Sequence, residues 1–139
     1  MGAPESTNLL NPAAWDGRIH VNGQWLPPQG GSRDVIEPAT GERLTTTGVA
    51  DAADMTAAIG GAVAAQTAWA AMPPRDRAAV FHRAAAILQQ HFDELAMAVT
   101  RETGSILPKG QHEIREAITL CQIAAGLPLA AQGLSLIHI

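Results

Sequence analysis

The chain has no tyrosine, two phenylalanines, one cysteine and a single lysine among 139 residues. One cysteine cannot close an internal disulfide, so the fold does not rest on cross-links, as suits a reducing cytoplasm. The shortage of basic side chains leaves a formal charge of −4. That charge excludes a nucleic-acid binder, which needs a basic stripe or patch. No stretch approaches the roughly 20 apolar residues that span a bilayer. Met1 to Trp15 has neither a basic start nor an apolar run, so a secretory signal is not expected. Gly2 to Ser6 fits a loose myristoylation pattern, but patterns this short recur by chance. What is present is alanine. Hydrophobic residues make up 47% of the chain, yet few are large. Burial stabilises by about 25 cal/mol per Å² of apolar surface, so small side chains contribute little unless their helices lie close against something. The expected class is soluble, acidic and cytosolic.

Residues before Arg18 are polar, proline-containing and aperiodic, which predicts a flexible arm over 1–17. In Ile19-His20-Val21-Asn22-Gly23-Gln24-Trp25-Leu26, an Asn-Gly pair separates two alternating runs. Both residues tolerate positive φ, which a type I′ hairpin turn requires. Pro27-Pro28-Gln29-Gly30-Gly31-Ser32 breaks the strand. Asp34–Glu37 and Glu42–Val49 then read as strands around Pro38-Ala39-Thr40-Gly41, where proline presets φ and glycine takes a left-handed position.

The period changes at Asp51, an N-cap acceptor followed by Asp54 in the first helical turn. Met55, Ile59, Val63, Gln66 and Trp69 follow at helical spacing. Gly60-Gly61 within this helix costs about 1 kcal/mol per residue relative to alanine, so close approach to that face is expected. Pro73-Pro74 ends this helix and opens the next. Phe81, Ala84, Leu88, Phe92, Leu95 and Val99 hold a three-or-four spacing, which predicts one continuous helix up to Gly104. A third helix is predicted from Pro108, with Ile114, Ala117, Ile118, Cys121 and Ala124 on one side. Three such helices make a poor bundle but a reasonable cover for a sheet. The early strands are too short and polar to be that sheet, so the chain reads as part of a larger unit.

His20 to Trp25, Glu37-Pro38-Ala39-Thr40-Gly41-Glu42, Ala65-Gln66-Thr67-Ala68-Trp69, Pro73-Pro74-Arg75-Asp76-Arg77 and Arg101-Glu102-Thr103-Gly104 resemble the aldehyde dehydrogenase superfamily, in its order and approximate spacing. Pro108-Lys109-Gly110, Glu113 and Ala124-Ala125-Gly126-Leu127 are more similar to its benzaldehyde dehydrogenase branch. The resemblance covers Arg18 to Leu129. It implies an α/β fold, here the N-terminal part of a Rossmann-type NAD(P)-binding domain over 18–133, as short β-hairpins followed by three helices. It implies a homo-oligomeric parent acting on a small aldehyde. In the family a cysteine thiolate attacks the aldehyde to give a thiohemiacetal, hydride passes to NAD or NADP, and a glutamate-activated water releases the acid. The family's nucleophile, glutamate, oxyanion-hole asparagine and glycine-rich cofactor loop lie downstream of Ile139. The expected catalytic, cofactor-binding and metal sets in this chain are therefore none, and the chain alone is expected to be inactive. Leu134-Ser135-Leu136-Ile137-His138-Ile139 departs from the family and matches a reading frame of a common sequencing adapter. It is expected to be a non-native tail, which sequencing the source locus would test.

Several residues invite a functional reading and are better explained by packing. Cys121 sits among Thr119, Leu120, Gln122 and Ile123 in an apolar helical pattern, where a thiol is a small buried hydrophobe. His112-Glu113 opens like a zinc helix, but Glu116 stands where the second histidine belongs. His82 and His91 fall about half a turn out of phase on a helix. Glu113 and Glu116 lie near Lys109 and Arg115 as a wet helix face. Gly30-Gly31 and Gly60-Gly61 do not sit between a strand and a helix N-terminus, where a phosphate cradle needs its glycines. Glu102 is expected to tie down a helix end. The alternative to a dehydrogenase part is a stand-alone helical module docking a partner in a groove, which leaves the hairpin and the Pro-Ala-Thr-Gly turn without a role. A semialdehyde dehydrogenase is the alternative within the family.

Overall fold

The computed structural model describes residues 10–130. The expected tail at 134–139 and most of the expected arm lie outside them. Two short antiparallel strand pairs come first, β1 (Ile19–Val21) with β2 (Gln24–Leu26) and β3 (Ser32–Ile36) with β4 (Arg43–Gly48). Helices follow: α1 (Ala52–Ala71), α2 (Pro74–Gln90), α3 (Phe92–Thr103) and α4 (Leu107–Gly126), then a 3-10 turn at Leu127–Leu129. Among the described residues there are four α-helices where three were expected.

The extra boundary falls at His91, whose φ of −104° and ψ of 22° end α2 and start α3. The apolar spacing runs through this break unchanged, so periodicity could not reveal it. Polar groups mark it instead. Asp93 and Glu94 occupy the first turn of α3. Glu94 accepts a backbone bond from Leu10 at 2.9 Å and faces His91 Nδ1 at 2.9 Å.

Local chemistry otherwise behaves as the sequence predicts. Asn22 and Gly23 take φ of 51° and 80°, and His20 pairs with Trp25 across the hairpin. Gly41 and Gly104 hold φ of 76° and 68°, the second as the left-handed cap of α3. Asp51 accepts from the backbone of Ala53 and Asp54, and Asp54 reaches back to Asp51 N, a reciprocal capping box. Residues 10–17, part of the expected flexible arm, are tied to β4. Asp16 Oδ1 accepts from Thr45 Oγ1 and from Thr46 N, each at 2.7 Å. Those two bonds hold the Asp16 carboxyl below its ordinary range.

The core lies among α2, α3 and α4. Ala85, Ala96, Ile114 and Ile118 form its centre, with Leu88, Phe92, Leu95, Val99 and Cys121 packed around them. Small residues set the spacing. Gly110 of α4 lies so close to α3 that a Cβ there would overlap the Ala96 carbonyl oxygen and come within 2.7 Å of Thr100 Oγ1. Among the described residues no large side chain reaches complete burial. Met55, Ile59 and Val63 along α1 are more than half exposed, as are Leu120 and Ile123 along α4 and Leu127 in the turn after it. Such open apolar faces suit helices that cover something larger. Among the described residues no helix is long and apolar enough to cross a membrane.

Candidate functional site

The best-organised polar junction joins the turn after β3 to the end of α3. Glu37 N donates to Glu42 O, and Thr40 N and Gly41 N both donate to Glu37 O, which folds the Pro38–Gly41 turn tightly. The turn presents the Glu37 side chain to Arg101, 64 residues away. Arg101 Nε donates to Glu37 Oε1 at 2.9 Å and Nη2 to Oε2 at 3.3 Å. Thr40 Oγ1 donates to the same Oε2 at 2.9 Å. The fork matches the carboxylate edge, as arginine geometry favours. Pro38 packs on Gly104, where an added Cβ would stand 3.1 Å from Pro38 Cβ. The left-handed cap and the proline turn therefore meet.

Electrostatics follow from this geometry. The Arg101 guanidinium, then Thr40, holds the Glu37 carboxyl below the ordinary carboxylate range. Glu37 in turn raises the Arg101 guanidinium above its ordinary value. The Glu37 side chain is only 13% exposed. A carboxylate so bound stays ionised and does not serve as a proton acceptor near neutral pH.

Beside the junction lies a cleft of about 310 Å³ lined by Leu10, Pro12, Trp15, Leu44, Ala98 and the polar residues Arg43, Thr45, Arg101 and Glu102. Its cations are engaged. Arg43 Nη1 donates to Thr46 Oγ1 at 2.7 Å and lies 3.7 Å from Asp34 Oδ1. Among the described residues that line the cleft there is no cysteine, histidine or lysine. Glu102, expected to fasten a helix end, stands exposed on the rim, and Arg101 makes the tie instead.

The other singled-out residues remain apart. Cys121 is half-buried against the α2–α4 core. His91 is paired with Glu94, His20 stacks edge-on with Trp25 at 5.0 Å, and Glu113 pairs with Lys109. Among the described residues no group of three or more His, Cys, Asp or Glu could hold a metal ion. Gly30 abuts the Val49 carbonyl in a strand-to-strand loop, and Gly61 lies under the Asn22 carboxamide. The glycine motif inside α1 therefore marks a close approach at Gly61, but not at Gly60, which has open space.

The described residues do not fit a dinucleotide. A pyrophosphate needs a glycine-rich turn from a strand into a helix N-terminus with free amides. At the one strand-to-helix passage among the described residues, β4 to α1, the Asp51 carboxylate already accepts from Ala53 N and Asp54 N, and Asp54 accepts from Asp51 N. Sequence reasoning placed Glu37 and Arg101 in motifs but not in contact. No local pattern could join residues so distant.

The sequence profile of the aldehyde dehydrogenase family matches residues 25–138. The vanillin dehydrogenase of an Amycolatopsis species is 42% identical over 126 residues, 91% of this chain and 26% of its own length. The NAD(+) benzaldehyde dehydrogenase of Pseudomonas putida is 38% identical over 119 residues, 86% of this chain and 24% of its own. Among solved structures, an NAD-dependent benzaldehyde dehydrogenase from Corynebacterium glutamicum superimposes with a TM-score of 0.75 at 30% identity, over 80% of this chain and 24% of that one. The chain thus spans about a quarter of the length of the relatives it matches.

Proposed function

Because this chain belongs to the aldehyde dehydrogenase family, we propose that it forms part of an enzyme that oxidises an aromatic aldehyde to its carboxylic acid. One aldehyde, one water and one oxidised NAD or NADP give one acid, one reduced cofactor and a proton. In this reading a cysteine outside the chain would attack the aldehyde, and a bound NAD or NADP would supply the hydride acceptor. Cys121 is not that cysteine, since it packs against the helical core. The residues present serve as scaffold. The Glu37–Arg101 fork and the Pro38–Gly104 contact fix the strand pairs against α3, and α2 to α4 form a layer with open apolar faces. A small aldehyde is the substrate, the assembly is a homo-oligomer, and the cytoplasm is its compartment.

The observation that carries this reading is the 42% identity to a vanillin dehydrogenase, supported by the 38% identity to a benzaldehyde dehydrogenase. The test is a steady-state assay of the whole protein on benzaldehyde, vanillin and succinate semialdehyde, each with NAD and with NADP. We expect kcat/KM for an aromatic aldehyde with NAD to exceed that for the semialdehyde by at least about tenfold, the discrimination an apolar pocket supplies. A reversed preference would remove the aromatic assignment and keep the family chemistry. Failure to oxidise any aldehyde would remove both.

A further inference from the structure

Residues 10–17 cross the molecule with their bonds to other elements at the two ends. At one end Leu10 N donates to Glu94 Oε1 at 2.9 Å. His91 Nδ1 lies 2.9 Å from the other oxygen, so the carboxylate is held from two sides. At the other end Asp16 Oδ1 accepts from Thr46 N at 2.7 Å, and Gly17 N donates to Thr46 O at 2.8 Å. In an antiparallel ladder a residue's N–H and C=O point the same way. Those of Thr46 therefore face away from β3, and Asp16 and Gly17 cap the outer edge of β4 at this residue. Between its ends the segment bonds to itself: Ala13 N donates to Asn11 Oδ1, and Trp15 N and Asp16 N donate to Pro12 O. Asn11 to Ala14 are exposed. Beneath them lies the cleft of about 310 Å³, with Leu10, Pro12 and Trp15 on one side and Leu44 and Ala98 on the other.

We propose that residues 10–17 form a strap that swings about Gly17 as one unit when the Glu94 contact releases, uncovering the cleft and the outer edge of β4. The base of the segment has the geometry of a hinge. Gly17 holds φ of 66°, and a Cβ there would meet nothing within 4 Å. The next residue is fixed, since a Cβ on Gly48 would come within 2.7 Å of the Arg18 carbonyl carbon. Motion therefore stops at Arg18. A segment with few buried apolar contacts, tied by a handful of polar bonds, opens at lower cost than a packed core. Closed, the strap satisfies both main-chain groups of Thr46. Open, it leaves them as an unpaired strand edge, the kind of surface another chain can extend. The inference is independent of the substrate, so aldehyde assays and the experiment below can fail separately.

The test is hydrogen exchange of the whole protein, read by mass spectrometry on overlapping peptides and divided by intrinsic rates. In the unaltered protein the amides of Trp15, Asp16 and Gly17 should exchange together, at least about tenfold faster than those in the middle of α4. Glu94→Ala removes the acceptor for Leu10 and should lower protection across 10–17 roughly tenfold, the loss expected for a bond to a charged group. Protection of α4 should not change. Chymotrypsin under native conditions should cut after Trp15 faster by a similar factor. Glu94→Gln keeps an acceptor oxygen without the charge and should give a smaller loss. Gly17→Ala, which has room for its Cβ but strains the left-handed φ, should lower protection of the same residues. If Glu94→Ala does not accumulate as folded protein, Glu94→Gln carries the comparison under the same criteria. Unchanged protection at Asp16 and Gly17, or an equal loss in α4, would overturn the proposal.

Discussion

Helices α1 and α4 are each 20 residues long, and α1 is the more apolar in composition. Their burial runs the other way. α4 buries Gly110, Ile114, Ile118 and Ala125 between α2 and α3, whereas the one buried residue of α1 is Asp54. α4 is held by shape, with a glycine at its closest approach and isoleucines in the core. α1 is held by polar bonds at its start, from the Asp51–Asp54 box, from Gln29 N to Asp54 Oδ2 at 2.8 Å, and from Asn22 Nδ2 to the Ala57 carbonyl at 3.4 Å. Apolar composition alone does not bury a helix. A complementary surface must be within reach.

The widest gap between the two should come from their glycines. Gly110→Val places a branched side chain against the Ala96 carbonyl and should cost roughly 3 kcal/mol by overpacking. Gly60→Ala in α1 meets nothing within 4 Å and should stabilise by about 0.5–1 kcal/mol through helix propensity. Urea unfolding followed by circular dichroism measures both, and equal effects would break the contrast. Truncation should give the next gap. Ile118→Ala should cost about 2–3 kcal/mol because Ile118 is buried in the core. Val63→Ala on the open face should stay within about 0.5 kcal/mol.

The smallest effect should be a pH dependence confined to α1. The Gln29 backbone bond, then that from Asp51, holds the Asp54 carboxyl below its ordinary value of 3.8. A depressed carboxyl contributes stability above its unfolded pKa and loses it as pH falls through the lower folded value. Protection of the amides in the first turns of α1, measured relative to their intrinsic exchange rate, should therefore fall on acidification below about pH 4 while that of α4 holds. Asp54→Asn should flatten that response. Parallel loss in both helices would show that the acid limb belongs to the whole fold.

What could be read in the sequence divides along the same line. The type I′ hairpin, the α1 cap, the Pro74 start and the Gly104 stop all follow from one residue's dihedral preference or one side chain's reach to a neighbouring amide. Cys121 as a packing residue was equally legible from its apolar neighbours. The break at His91 was not, because apolar spacing continues across it and the bonds that mark it involve Leu10 and Glu94. Nor was the Glu37–Arg101 fork, which only folding brings together.

The seat of Asn22 on Gly61 carries a chemical consequence. An asparagine followed by glycine is the dipeptide most open to succinimide formation, because no side chain shields the attacking nitrogen. At Asn22 that ageing reaction would exchange an amide donor for a carboxylate that faces the Ala57 carbonyl. It would also lengthen the backbone by one atom wherever isoaspartate forms. The clasp between hairpin and α1 therefore has a finite shelf life, set by how long the turn keeps its left-handed shape.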